Sequence, residues 1–169
     1  MARTMQITDS IVIAVDPATA YDNIADVTRM GRWSPENTGA VLDAPGRPAQ
    51  VGTTFVGANV RSGFRWHTGC VVTAAEPGSR FAFQVQRWGV RKPALRVAVA
   101  SWEYRFEPVD GGTRVTETWT DDRAKWPDAV ASVFDRLATG KRGFAEFQRG
   151  NIRRTLARLK EVLESEQVG

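Results

Sequence analysis

Cysteine and histidine are almost missing from this chain: in 169 residues, Cys70 and His67 are the only ones. A single cysteine excludes an internal disulfide. A single histidine leaves no clustered pattern for zinc, and the adjacent acids Asp121 and Asp122 lack the ligand-rich loop that calcium needs. No metal and no other cofactor is therefore expected. Long apolar runs are missing too. Nothing approaches the roughly 20 residues needed to span a bilayer, and the opening MARTMQITDS has no apolar leader core. We therefore expect a cytoplasmic protein without stable membrane insertion.

A strong charge bias is the third absence. The net charge is only +4. Much of the basic excess falls late, in Lys141, Arg142, Arg149, Arg153, Arg154, Arg158 and Lys160, interleaved with Glu146, Glu161 and Glu164. That interleaving reads as a solvated helix face. With no zinc-finger spacing, helix-turn-helix signal or RNA-stacking motif, nucleic acid is not an expected partner. What the chain does have is 42% hydrophobic and 25% charged residues, an ordinary globular balance. Its length suits one domain over residues 1–169 with a sizeable core.

The stretch from Met5 to Val15 alternates and then turns Val- and Ile-rich, predicting a first strand. Asp16 and Pro17 follow as cap and first helical residue. Tyr21, Ile24, Ala25 and Thr28 then fall on one helical face. Gly31 ends that helix, and Ser34-Pro35-Glu36 reads as the cap and first turn of a second short one. Glu36 has no partner legible in the chain and reads as a first-turn charge favoured by the helix dipole. Strands are predicted at Ala40–Asp43, Gly52–Val60, Phe64–Glu76, Arg80–Trp88, Leu95–Pro108 and Thr113–Thr120. The turn signals VRSG, EPGS and VDGG join several of them into an antiparallel meander. From Pro127 the pattern becomes helical: a short helix ended by Gly140, then a long one weakened by Gly143 and Gly150. Phe144, Ile152, Leu156, Leu159, Val162 and Leu163 form its apolar stripe.

This order resembles the helix-grip fold of the START-like superfamily, in particular its polyketide cyclase/dehydrase-type proteins. The resemblance is carried by DPATAYDNIADVTRMGRWSP, VGTTFVGAN, GTRVTET and NIRRTLARLKEVLE, and it covers most of the chain. It implies an α+β fold in which a curved antiparallel sheet of about seven strands wraps a long C-terminal helix. Two short helices follow the first strand, and a cavity lies between sheet and long helix. The superfamily holds carriers, hormone-binding proteins and cyclases, so the fold alone does not give the activity.

Strand parity sorts side chains into cavity and outer face. Phe55, Gly57 and Asn59 take the inner face of their strand; Trp66, Thr68, Cys70 and Val72 that of the next. Phe81, Phe83, Val85 and Arg87 follow, then Ala98, Ala100, Trp102, Tyr104 and Phe106, then Val115, Glu117 and Trp119. His67 falls on the outer face, which argues against a general base there. Cys70 reads as an inert buried thiol.

The expected ligand-binding residues are Trp33, Phe55, Asn59, Trp66, Thr68, Phe83, Arg87, Trp102, Tyr104, Glu117, Trp119 and Asn151, lining a pocket of flat apolar walls with a few polar groups. Three readings follow. The first is a protein that binds a hydrophobic or aromatic small molecule. The second is an aromatase/cyclase-type enzyme, with Glu117, Arg87 and Tyr104 as candidates for proton transfer and oxyanion stabilisation. The third is a lipid or quinone carrier. Trp33 in RMGRWSPENTG is placed at one end of the cavity, as a plug or a gate. A monomer is expected, or a homodimer paired through the edge strand Met5–Val15.

Overall fold

The computed structural model describes residues 4–139 and 144–167. The expected end of the short helix at Gly140, with Lys141, Arg142 and Gly143, lies outside the described residues. Strands β1 (Gln6–Ile13), β2 (Asn37–Leu42), β3 (Thr54–Arg61), β4 (Phe64–Glu76), β5 (Arg80–Gly89), β6 (Leu95–Val109) and β7 (Gly112–Asp121) form one sheet. Every pairing is antiparallel, in the order β1-β7-β6-β5-β4-β3-β2. Helix α1 (Pro17–Ala25) and a 3-10 helix (Val27–Arg32) carry the chain from one edge to the other. Helices α2 (Asp128–Thr139) and α3 (Phe144–Glu166) follow the last strand. This is the α+β helix-grip architecture that the pattern predicts.

Local chemistry explains the ends of α1. Asp16 accepts from the Thr19 amide at 3.0 Å, and Pro17 fills a first-turn position where a missing N–H costs nothing. Asp26 caps the 3-10 helix in the same way, accepting from the Thr28 amide at 3.2 Å. Ser34-Pro35-Glu36 departs from expectation. It starts no helix but bends directly into β2, with the Ser34 hydroxyl accepting from the Asn37 amide at 3.1 Å. A Ser-Pro pair can begin a helix or a turn, and here the early pairing of Asn37 with Asn59 decides.

Helix α3 buries Ile152, Leu156, Leu159 and Leu163, each worth about 1.5–3 kcal/mol of transfer free energy. The helix also covers edge strand β1: Lys160 Nζ donates to the Val12 carbonyl at 2.9 Å, and Glu164 accepts from the Ala14 amide at 2.9 Å. Toward the other end of α3, the buried face carries the polar Gln148, Asn151 and Thr155 beside Phe144. The core is therefore filled at one end and hollow at the other.

Two strands depart from simple alternation. Cys70 pairs with Val85 and Gly69 with Arg87, so Gln86 is an extra residue in β5. This bulge turns both Gln86 and Arg87 outward and brings Trp88 to the inner face. The expected inward Arg87 is thus corrected. Gly69 accommodates it, since a Cβ there would stand 2.9 Å from the Arg87 Cβ. In β6 the partners jump from Ala100 to Arg96 over the same interval. Val97 and Val99 therefore face inward, and Ala98 is exposed rather than inward.

Candidate functional site

The hollow is a cavity of about 940 Å³ between the sheet and the first half of α3. Its walls are largely aromatic and aliphatic. Phe83 and Trp102 stack with ring centres 5.6 Å apart, and Phe55 meets Phe83 edge-on at 5.4 Å. Of the expected ligand-binding residues, Phe55, Asn59, Trp66, Thr68, Phe83, Trp102, Tyr104, Glu117 and Asn151 line this space. Three do not. Arg87 is on the outer face. Trp119 is fully buried behind the wall, its ring 5.4 Å from that of Phe144. Trp33 is only 2% exposed and belongs to the core, so it plugs the helix junction, and Ser34, Pro35 and Glu36 supply the lining there.

Glu117 is the chemical centre of the cavity. It is 2% exposed, and the Tyr104 hydroxyl donates to its Oε1 at 3.0 Å. Oε2 has no hydrogen-bond partner among the described residues. No cation among the described residues balances the charge, and burial pushes its pKa up to about 8 despite the opposing hydrogen bond from Tyr104. At neutral pH the group is chiefly a neutral carboxylic acid, able to donate as well as accept. Burial and the neighbouring acid raise the Tyr104 hydroxyl well above its ordinary value, keeping it protonated.

A second polar patch lies across β3 and β4. Asn59 Nδ2 donates to the Thr68 hydroxyl at 3.3 Å, and Asn37 Nδ2 reaches Asn59 Oδ1 at 3.5 Å. Cys70 sits beside Thr68, and burial pushes its thiol up to about 12, so it acts as an apolar wall and no nucleophile. His67 faces away from the cavity, with Nδ1 3.1 Å from the Val90 carbonyl oxygen.

Sequence reasoning missed a third cluster at the rim. Glu36 pairs with Arg61 and accepts from Asn151 Nδ2 at 3.1 Å, while Arg154 donates to Asn151 Oδ1 at 2.6 Å. The Arg61 guanidinium lies 3.9 Å from the Phe147 ring centre. Glu36, Asn151 and Arg61 come from β2's approach, α3 and β3, and no spacing in the chain foretells their meeting. Trp88, Trp126 and Phe134 were missed as lining residues too. The first hides behind a bulge, and the others lie where alternation does not apply.

No group of three or more His, Cys, Asp or Glu side chains among the described residues is placed to hold a metal. No helix among them is long and apolar enough to cross a membrane.

Together these features define a helix-grip cavity protein with a protonated acid in an apolar chamber. The chain belongs to the family described as polyketide cyclase / dehydrase and lipid transport, which it matches over residues 4–164. No curated protein matches it. Solved structures share the fold. A protein from Nitrosomonas europaea is 14% identical, with 98% of this chain and 97% of that one covered at a TM-score of 0.65. The polyketide-cyclase-like protein Cgl2372 from Corynebacterium glutamicum is 27% identical, covering 99% and 96% at 0.60. DynU16, a protein of the dynemicin biosynthetic locus, is 15% identical; the match covers 96% of this chain and 48% of that one at 0.61.

Proposed function

We propose that the protein binds a largely apolar, aromatic-sized small molecule that carries a carbonyl or hydroxyl group, and holds that group against Glu117. The observation behind this reading is the unpartnered Glu117 Oε2 inside a cavity otherwise walled by hydrocarbon. A buried polar atom without a partner costs about 1–3 kcal/mol, a cost that a ligand's polar group can relieve. A ligand carboxylate would meet no cation at this depth, so a neutral pole is favoured. Titration with a naphthalene-based fluorescent probe tests the reading. Saturable uptake should weaken in Thr68→Trp, which narrows the chamber beside Phe55 and Phe83, while the thermal midpoint is retained. Equal uptake in that variant, or no uptake by the native chain, overturns it.

A second reading has its own support. An acid with a pKa near 8 exchanges protons readily at neutral pH, and one structural neighbour comes from a biosynthetic locus. In a cyclase, an enolate carbon of a bound poly-β-keto chain would attack a carbonyl of the same chain, and the resulting hydroxyl would leave as water. Glu117 would supply the proton to the departing hydroxyl, and the carboxylate so formed would take the remaining proton from the adjacent carbon as the double bond forms, with Tyr104 holding Glu117 in place. Arg87, on the outer face, takes no part. Turnover of a polyketide thioester that survives Glu117→Gln undiminished would remove this assignment.

A further inference from the structure

Cations are unevenly distributed along this chain. From Arg61 to Trp102 there are seven arginines and lysines and one acid, Glu76. That stretch carries +6 while the rest of the chain carries −2, within the overall +4. Glu76 pairs with Arg80 at the β4–β5 turn, the end of the sheet away from the cavity rim. Arg61 is held by Glu36. The other five, Arg65, Arg87, Arg91, Lys92 and Arg96, are all exposed. Among the described residues, none of them makes an ion pair or a side-chain hydrogen bond. Arg87 and Arg96 even stand directly opposite each other on β5 and β6, an arrangement that costs stability.

The same end carries exposed hydrocarbon. Phe64 is 52% exposed, Val90 52% and Leu95 58%, and Phe64 and Leu95 are also part of the cavity lining. Their positions are built in. Ser62 and Gly63 have φ of 47° and 83°, the paired positive values of a tight hairpin turn, which puts Phe64 at its tip. The β5–β6 loop folds back so closely that a Cβ on Gly89 would stand 1.9 Å from the Lys92 carbonyl oxygen. The His67 ring meets the Val90 carbonyl and ties this loop to β4. Two hairpin ends thus share one rim, which carries both the exposed apolar side chains and cations that make no ion pair among the described residues.

We propose that this rim docks on an anionic lipid bilayer, with Phe64, Val90 and Leu95 entering the headgroup boundary and the five cations meeting lipid phosphates. Apolar side chains flanked by cations are matched by an interface that offers hydrocarbon and anions together. Nucleic acid offers only the anions. The cavity lining reaches this rim through Ser62, Phe64 and Leu95, so an apolar molecule would pass between cavity and membrane there. Docking itself needs no occupant, and a negative result would leave the cavity reading intact.

The test is co-sedimentation of the unliganded protein with phosphatidylcholine vesicles containing about one third phosphatidylglycerol, at low and raised salt. The native chain should pellet at low salt, release as salt rises, and ignore pure phosphatidylcholine. Arg91→Glu/Lys92→Glu/Arg96→Glu should weaken partitioning by roughly fivefold or more for each cation removed. Phe64→Ser/Leu95→Ser should weaken it at unchanged charge. A native chain that stays in solution with anionic vesicles at low salt overturns the proposal, as does equal pelleting of the charge-reversed variant. Binding that Phe64→Ser/Leu95→Ser leaves unaltered also overturns it, since the vesicle would then be held by charge alone.

Discussion

Two acids on one strand meet opposite fates. Glu117 and Asp121 both lie on the inner face of β7, four residues apart, and both are almost wholly buried. Asp121 receives Arg123 through two charge-assisted hydrogen bonds, Nε to Oδ1 at 2.9 Å and Nη2 to Oδ2 at 2.8 Å. Asp135 of α2 accepts from the same guanidinium at 2.7 Å, which also lies 4.9 Å from the Phe144 ring centre. Burial alone would lower the Arg123 pKa, yet Asp121 and Asp135 carry it above its ordinary value. Glu117 has a tyrosine hydroxyl and, among the described residues, no cation. The first acid is paired with a guanidinium that also holds α2 to the sheet; the second gives up its charge and faces a cavity. Pairing is what separates a structural acid from a chemically available one.

The largest way to break this contrast is to remove the cation. Arg123→Met should destabilise the protein by about 3–5 kcal/mol, because the buried Asp121 loses the guanidinium that donates to both of its oxygens; denaturant unfolding measures it. The corresponding change at the other acid should act through pH. The folded Glu117 pKa of about 8 exceeds its ordinary 4.5, so the folded state holds a proton that the unfolded chain has lost. The stability this acid contributes is full below pH about 4.5 and falls as pH rises toward about 8. Glu117→Gln should flatten that fall. The variant should nearly match the native chain at pH 5 and exceed it at pH 8 by a margin on the order of a few kcal/mol, read from midpoints across pH.

A smaller effect sharpens the picture. Tyr104→Phe removes the hydrogen bond that Tyr104 donates to Glu117 and should cost about 1 kcal/mol. It should also move the acid's titration further upward, since that bond favours the charged form, a shift visible by carboxyl NMR. Smallest of all, Arg87→Ala should change stability by no more than about 0.5 kcal/mol and leave probe uptake in the cavity unaltered. Loss of uptake would mean that the β5 bulge does not turn Arg87 outward.

Much of this was legible in the chain. Phe55, Asn59, Trp66, Thr68, Phe83, Trp102, Tyr104 and Glu117 were placed on the cavity wall by a period of two, because strands paired by short turns keep their alternation. Arg87 and Ala98 were misplaced because one inserted residue reverses parity, and a bulge leaves no reliable mark in composition. Trp33 was recognised as special, but its neighbour Glu36 became the lining residue. A bend can expose one side chain of a motif to a cavity while burying the next.

By itself the sequence determined the helix-grip order, the caps at Asp16 and Pro17, the apolar half of α3 and the inward run of β7, because these follow from nearest neighbours and fixed periods. Only the tertiary structure decided which buried acid is paired and which gives up its charge to burial. Arg123 lies two residues from Asp121, but Asp135 and the aromatic rings around the guanidinium arrive with α2 and α3. Tyr104 reaches Glu117 only through the β6–β7 register. Glu36, Arg61 and Asn151 likewise meet only when the sheet closes on the helix. An ionisation state depends on what surrounds a group in space, and that is set when distant elements pack together.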